Sequence, residues 1–230
     1  MVCSKNGAII AIGPEGSIGK GVPDMKKKVA LVWMVLLLCT LALTGCSSSR
    51  EETDASSALH VSMINTYVPA EAPQALEDEL KAALPQVFTA ENDLVVNSVS
   101  SGDTEKDPMG AMAGMTQIAG MMSSGEMELW LCDSENARRH GDNASLYVPL
   151  DELFTVEEQK ELGIVPVTLP LMDEQGNLTG EQSAPCGVDL SGCTLITQKM
   201  YTQDVAAYVL IDSPHLEQAK EVIRYLVTAE

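Results

Sequence analysis

Basic residues are few in this chain: 14 Lys and Arg stand against 33 Asp and Glu. Such a surface repels phosphate backbones, so nucleic-acid binding is excluded as a function class. Histidine is scarcer still. His60, His140 and His215 are the only three, and they are scattered. That counts against metal-assisted hydrolysis and against triads. There is no Cys-x-x-Cys, so the cysteines and histidines do not form a metal set. Beyond residue 45 there is no Gly-x-Ser-x-Gly, His-Glu-x-x-His or Ser-x-x-Lys, which leaves no enzyme motif. No cofactor motif and no internal repeat is visible. The expectation is a non-catalytic protein without a cofactor.

What is present begins near the N-terminus. Lys26, Lys27 and Lys28 form a compact positive segment, and Val29 to Leu43 follows as 15 uncharged, mostly apolar residues. That run is short for a membrane span of about 20. A positive start, an apolar run and the small residues Thr44 and Gly45 make an export signal. Met25 directly precedes the lysines, so residues 1–24 are expected to be a misplaced gene start. Gly13 to Gly21 lacks the spacing of a phosphate loop.

Leu43-Thr44-Gly45-Cys46 resembles the lipobox of bacterial lipoproteins. The resemblance implies cleavage before Cys46 and a diacylglyceryl thioether on it. Residues 25–45 are then the signal peptide. The protein is expected on the extracytoplasmic face of a membrane, held by lipid. Residues 46–57, rich in Ser, Glu and Asp, read as a flexible tether. From Cys46 onward the chain has 185 residues. Five basic and two acidic residues precede Cys46, so 9 basic and 31 acidic remain, a net charge near −22. This disfavours anionic headgroups, so the acyl chains must supply the membrane affinity.

Residues 58–230 are expected to form one domain, long enough for a sizeable core. Leu59 to Ile64 alternates as a strand does. Leu76, Leu80, Ala83 and Leu84 have helical spacing within Pro73 to Leu84, and Pro85 ends that helix. Leu94 to Val99 predicts a strand, Met109 to Ser123 a helix and Glu128 to Cys132 a strand. The series βαβαβ argues for an α/β domain in three layers, with a mixed but mostly parallel sheet. Further on, Thr155 and Glu158 have the spacing of a capping box. Glu174 to Gly180 predicts a hairpin. Gly187 to Thr197 and Val205 to Ile211 each hold a strand, and Ser213 to Thr228 is an amphipathic helix.

In open α/β sheets, ligands sit at the carboxyl ends of the strands. That rule nominates Tyr67 after the first strand, with Asn65 and Thr66. It nominates Ser100 and Ser101 after the second, with Gly102, and Asp133 and Ser134 after the third. Tyr67 would stack on a ligand, and the hydroxyls and carboxylate would orient a polar or cationic one. The blander reading is that these are ordinary turn residues. Cys186 and Cys193 flank a Gly-rich loop and are a candidate disulfide outside the cytoplasm. Cys132 is expected as a buried thiol. Met109, Met112, Met115, Met121 and Met122 crowd one helix. The expected role is a core helix whose small residues press against the sheet. The alternatives are a Met-lined partner surface or a soft-metal site.

Several segments, in order, resemble extracellular solute-binding proteins of ABC importers. They are Ser124-Gly125-Glu126-Met127-Glu128-Leu129-Trp130-Leu131, Val148-Pro149-Leu150-Asp151-Glu152-Leu153, Cys186-Gly187-Val188-Asp189-Leu190-Ser191 and the strand–loop–helix run from Val209 to Leu226. The resemblance implies one lobe of a type II periplasmic binding protein, a small-molecule ligand and an ABC permease as partner. The departure lies between Phe154 and Gly187, a stretch too short for a second α/β lobe. The alternatives are a structural or interaction lipoprotein without small-molecule binding, and a metal-handling lipoprotein using the methionines.

Overall fold

A computed structural model describes residues 57–229. The expectations for the gene start, signal peptide, Cys46 and nearly all of the tether lie outside the described residues. Strand β1 (Ala58–Asn65) leads into helix α1 (Ala72–Ala83), and β2 (Asp93–Ser100) into α2 (Pro108–Ser124). Then come β3 (Leu129–Cys132), α3 (Ser134–His140), α4 (Leu150–Leu153), α5 (Val156–Leu162) and β4 (Pro166–Val167). A hairpin of β5 (Pro170–Met172) and β6 (Leu178–Gln182) forms a separate two-stranded sheet. The chain closes with β7 (Gly187–Asp189), α6 (Thr194–Met200), β8 (Ala206–Val209) and α7 (Leu216–Thr228). No helix among the described residues is long and apolar enough to cross a membrane.

The main sheet has six strands in the order β2-β1-β3-β8-β7-β4. Its strands alternate residue by residue between two cores. Leu59, Val61 and Met63 of β1, Leu129 and Leu131 of β3, and Ala207 and Val209 of β8 enter one. Helices α1, α6 and α7 cover that face through residues such as Leu76, Leu80, Ile196, Met200, Val222 and Ile223. Ile64, Trp130, Cys132, Ala206 and Tyr208 point the other way and meet Ile118 of α2, Ala137 of α3 and Tyr147. The α/β class and the three layers follow from these two faces.

The sheet is not mostly parallel, and that expectation is corrected. β1 pairs in parallel with β2 and with β3, but β3–β8, β8–β7 and β7–β4 are all antiparallel. The reason lies in α6. Its last residue, Met200, sits beside the carboxyl end of β1, where Asn65 Nδ2 donates to the Met200 carbonyl at 2.9 Å. The chain is therefore still at the carboxyl edge when β8 begins, and it can only run back antiparallel.

Local signals place the elements. Pro73 opens α1, and Leu76 and Leu80 supply its buried stripe. Glu77 of α1 reaches the free edge of β2, where its Oε2 accepts the Val96 N–H at 3.0 Å. This occupies an edge donor that would otherwise be open to another chain. Thr155 and Glu158 form the expected capping box at α5. The predicted hairpin turn is held by Asp173, whose Oδ1 accepts the Asn177 N–H at 2.8 Å. In the segment from Gly187 to Thr197 only Gly187–Asp189 is strand, and Thr194 already begins α6.

Candidate functional site

The strand order reverses around β1. The chain leaves β1 through α1 to β2 on one side, then crosses through α2 to β3 on the other. The two helices lie on opposite faces, so their loops diverge at the carboxyl ends and leave a crevice there. A cavity of about 290 Å³ occupies this crevice. Its walls are Thr66 after β1, Ser101 to Glu105 after β2, and Asp133, Glu135, Asn136 and Arg139 after β3. Every lining residue except Gly102 carries a polar or charged side chain.

Gly102 shapes the entrance. It has φ of +66°, and a Cβ there would lie 2.4 Å from the Ala111 amide nitrogen of α2. Only glycine combines that conformation with that approach. The loop beyond it is held by Asp103, whose Oδ1 accepts the Glu105 and Lys106 N–H groups at 3.0 Å each. Lys106 Nζ donates to Asp103 Oδ2 at 3.0 Å. That ammonium first, and the backbone donors next, hold the Asp103 carboxyl below its usual range.

On the other wall, Asp133 caps α3. Its Oδ1 accepts the Asn136 N–H at 2.6 Å and its Oδ2 accepts Asn136 Nδ2 at 2.8 Å. Asn136 is 5% exposed, and its Oδ1 has no hydrogen-bond partner among the described residues. Arg139 bridges to Glu135 at 2.6 Å on the rim. Ser101 is buried, lines the cavity, and its hydroxyl takes no hydrogen bond from the described residues. Hydroxyls, a carboxamide, carboxylates and a guanidinium thus converge on one small volume. No His or Cys among the described residues lines it.

The nominated residues are split by this geometry. Ser101 and Asp133 share the cavity, joined by Thr66 and Gly102. Ser100 turns away, its Oγ donating to the Thr66 carbonyl at 2.6 Å. Tyr67 is 63% exposed and is not part of the wall. Ser134 occupies the first turn of α3, also outside the wall. The sequence alone does not point to Glu135, Asn136 and Arg139, because α3 escapes periodicity: Ala137 is its only apolar residue. The available signal was Asp133 as an N-cap ahead of Glu135.

A second polar constellation lies at the opposite, amino edge of β3. Glu128, 3% exposed, accepts Ser213 Oγ at 2.7 Å and contacts His215 Nδ1 at 2.9 Å. The serine hydroxyl and the imidazole both meet the carboxylate rather than each other. The cluster fastens the loop between β8 and α7 to the start of β3.

Two further expectations are corrected. Cys186 and Cys193 are free, buried thiols, with no disulfide between them. They flank β7 on opposite sides, Cys186 in the core with Trp130 and Cys193 in the core with Leu131. Cys132 is buried as expected, and burial pushes its thiol well up. The methionine helix is not simply a core helix either. The buried stripe of α2 is Ala111, Gly114 and Ile118, while Met109, Met112 and Met115 are 76%, 65% and 47% exposed. Gly114 decides this: a Cβ there would lie 2.3 Å from the Ser100 carbonyl oxygen. The backbone presses on the sheet along its small residues, and the three thioethers turn outward. Met121 and Met122 are half-buried against the second core. Leaving a large apolar side chain exposed forfeits about 1.5–3 kcal/mol of burial free energy, and α2 does so three times.

No family model, curated protein or solved structure matches this chain.

Proposed function

We propose that the chain is an extracytoplasmic lipoprotein, anchored through lipid on Cys46, that binds a small polar solute without transforming it. The observation that carries the binding half is the cavity at the strand-order reversal, where Ser101, Asp133 and Asn136 converge in about 290 Å³. A volume at the lower end of ligand sites suits a solute of amino-acid or small-sugar size. Four carboxylates, from Asp103, Glu105, Asp133 and Glu135, face one guanidinium, from Arg139. This balance, in a mature chain of net charge near −22, favours a neutral or cationic solute over an anion. The anchoring half rests on the lysine triplet, the apolar run and Leu43-Thr44-Gly45-Cys46. In this reading the domain corresponds to one lobe of a solute-binding protein, and an ABC permease is its partner.

The test is a thermal-shift screen against sugars, amino acids, short peptides and amines. Residues 52–230 are the material, because they form a compact unit of their own. A ligand at a hundredfold excess over its Kd stabilises by about 2.7 kcal/mol, a few degrees in Tm at this size. The expected result is a shift with one chemical class, lost in Ser101→Ala, whose hydroxyl carries no structural bond. Silence across the panel overturns solute binding and leaves an interaction lipoprotein. Labelling with a radioactive fatty acid, abolished by Cys46→Ser, tests the anchor separately.

A further inference from the structure

Given the solute-binding reading, on which this rests, we propose that the cavity at the carboxyl edge selects a small primary amine carrying no carboxylate, with Asp133 and Ser101 as the partners of its ammonium group.

The sheet sets the placement. Ser100 lies opposite Asn65, and Cys132 lies opposite Ile64, so Ser101 and Asp133 follow the two strands that flank β1. Neighbouring strands are about 4.8 Å apart, which puts these two positions about 10 Å apart across the end of β1. Two inward side chains, with one ammonium hydrogen-bonded at about 2.9 Å to each, fill such a gap. Ser101 is 3% exposed, lines the cavity, and its hydroxyl has no hydrogen-bond partner among the described residues. A buried hydroxyl without a partner costs free energy, and a solute in the cavity supplies the partner.

Charge selects the class. Of the four carboxylates on the wall, Asp103 is answered by Lys106 at 3.0 Å and Glu135 by Arg139 at 2.6 Å. Glu105 and Asp133 pair with no cation among the described residues, and Asp133 receives only the uncharged donors of Asn136. The Asp133 charge also acts on Asp204, whose carboxyl is held above its usual range by burial first and by Asp133 and Asp189 next. The cavity thus keeps a negative potential that its own residues leave uncompensated, and a cationic solute completes it.

The same wall excludes the neighbouring classes. A bare hard cation needs several oxygens converging on one point, and no group of three His, Cys, Asp or Glu among the described residues does so. A ligand carboxylate needs a free cation, and both cations at the wall are already bonded to carboxylates. An α-amino acid would bring a further anion to that surface. A neutral polyol would satisfy Ser101 but leave the Asp133 charge unanswered.

Isothermal titration calorimetry on the full-length chain in uncharged detergent compares two matched pairs. Lysine and cadaverine differ only in the α-carboxylate, and glucose and glucosamine only in the exchange of a hydroxyl for an ammonium group. The expected result is binding of at least one amine, at least about tenfold tighter than its counterpart, the scale of one hydrogen bond to a charged group. Asp133→Asn keeps the cap but not the charge and should weaken amine binding at least about tenfold, with circular dichroism checking the fold. Lysine or glucose binding as tightly as its amine overturns the inference and leaves solute binding standing, as does a thermal-shift response confined to another class. Amine binding unchanged in folded Asp133→Asn overturns it too. Silence of every solute overturns it together with the solute-binding reading.

Discussion

Replacing Asp133 by alanine removes two hydrogen bonds that hold α3 against the cavity. The first is the N-cap bond from the Asn136 N–H at 2.6 Å, and losing such a cap costs about 1 kcal/mol, up to 2. The second comes from Asn136 Nδ2 at 2.8 Å. Asn136 is 5% exposed and its Oδ1 is already unpartnered, so the substitution strands the whole carboxamide. An orphaned buried polar group costs about 1–3 kcal/mol. Together Asp133→Ala should destabilise by about 2–4 kcal/mol, a Tm fall of about 5–15 °C for a domain of this size. Asp133→Asn is the control. Asparagine caps as well as aspartate, and a flipped Asn136 can accept from the new amide through the oxygen that now lacks a partner. Its cost should stay below about 1 kcal/mol, mostly the lost charge at the helix start. Urea and thermal unfolding followed by circular dichroism measure both. If Asp133→Ala unfolds within about 0.5 kcal/mol of the parent, or Asp133→Asn is as damaging as Asp133→Ala, this account of the wall is wrong.

Gly102→Ala should cost more than about 2 kcal/mol, since it combines a left-handed φ with a Cβ 2.4 Å from a backbone nitrogen; a neutral result would mean the loop is free to move. Burial first, and the Arg139 charge second, hold His140 below the ordinary imidazole value. The unfolded chain therefore takes up a proton near pH 6.5 while the folded one does not. Stability should fall as pH drops below about 6.5 and level off once the folded imidazole is charged; His140→Phe should flatten that part of a Tm–pH curve, and an identical slope in the variant would count against it. Adding a phosphine reductant should leave the Tm unchanged, whereas reduction of a disulfide between Cys186 and Cys193 would cost about 2–4 kcal/mol and show as a clear drop. Thr155→Ala removes one half of the α5 capping box and should cost about 1 kcal/mol, read by the same unfolding curves.

Much of this protein is determined by the sequence alone. Alternation in Leu59 to Ile64, helical spacing in Leu76 and Leu80, and the run from Leu129 to Cys132 are local properties. A chain that must bury those side chains has little choice of element, and βαβαβ then dictates a layered sheet with a crevice at its carboxyl edge. That rule places Ser101 and Asp133 at the crevice, where the cavity wall holds them. Three features were decided only by the tertiary structure. Helix α3 has a single buried apolar residue in its favour, Ala137, and is held by the Asp133 cap and by packing behind Trp130, so no period announces it. The direction of β8 depends on where α6 delivers the chain, beside Asn65, which no neighbour in sequence reveals. The turn of α2 was open as well: its period allows either the methionines or the small residues to face inward. The Ser100 carbonyl leaves room for a glycine and nothing larger, and that contact between residues distant in sequence sends Met109, Met112 and Met115 to the surface.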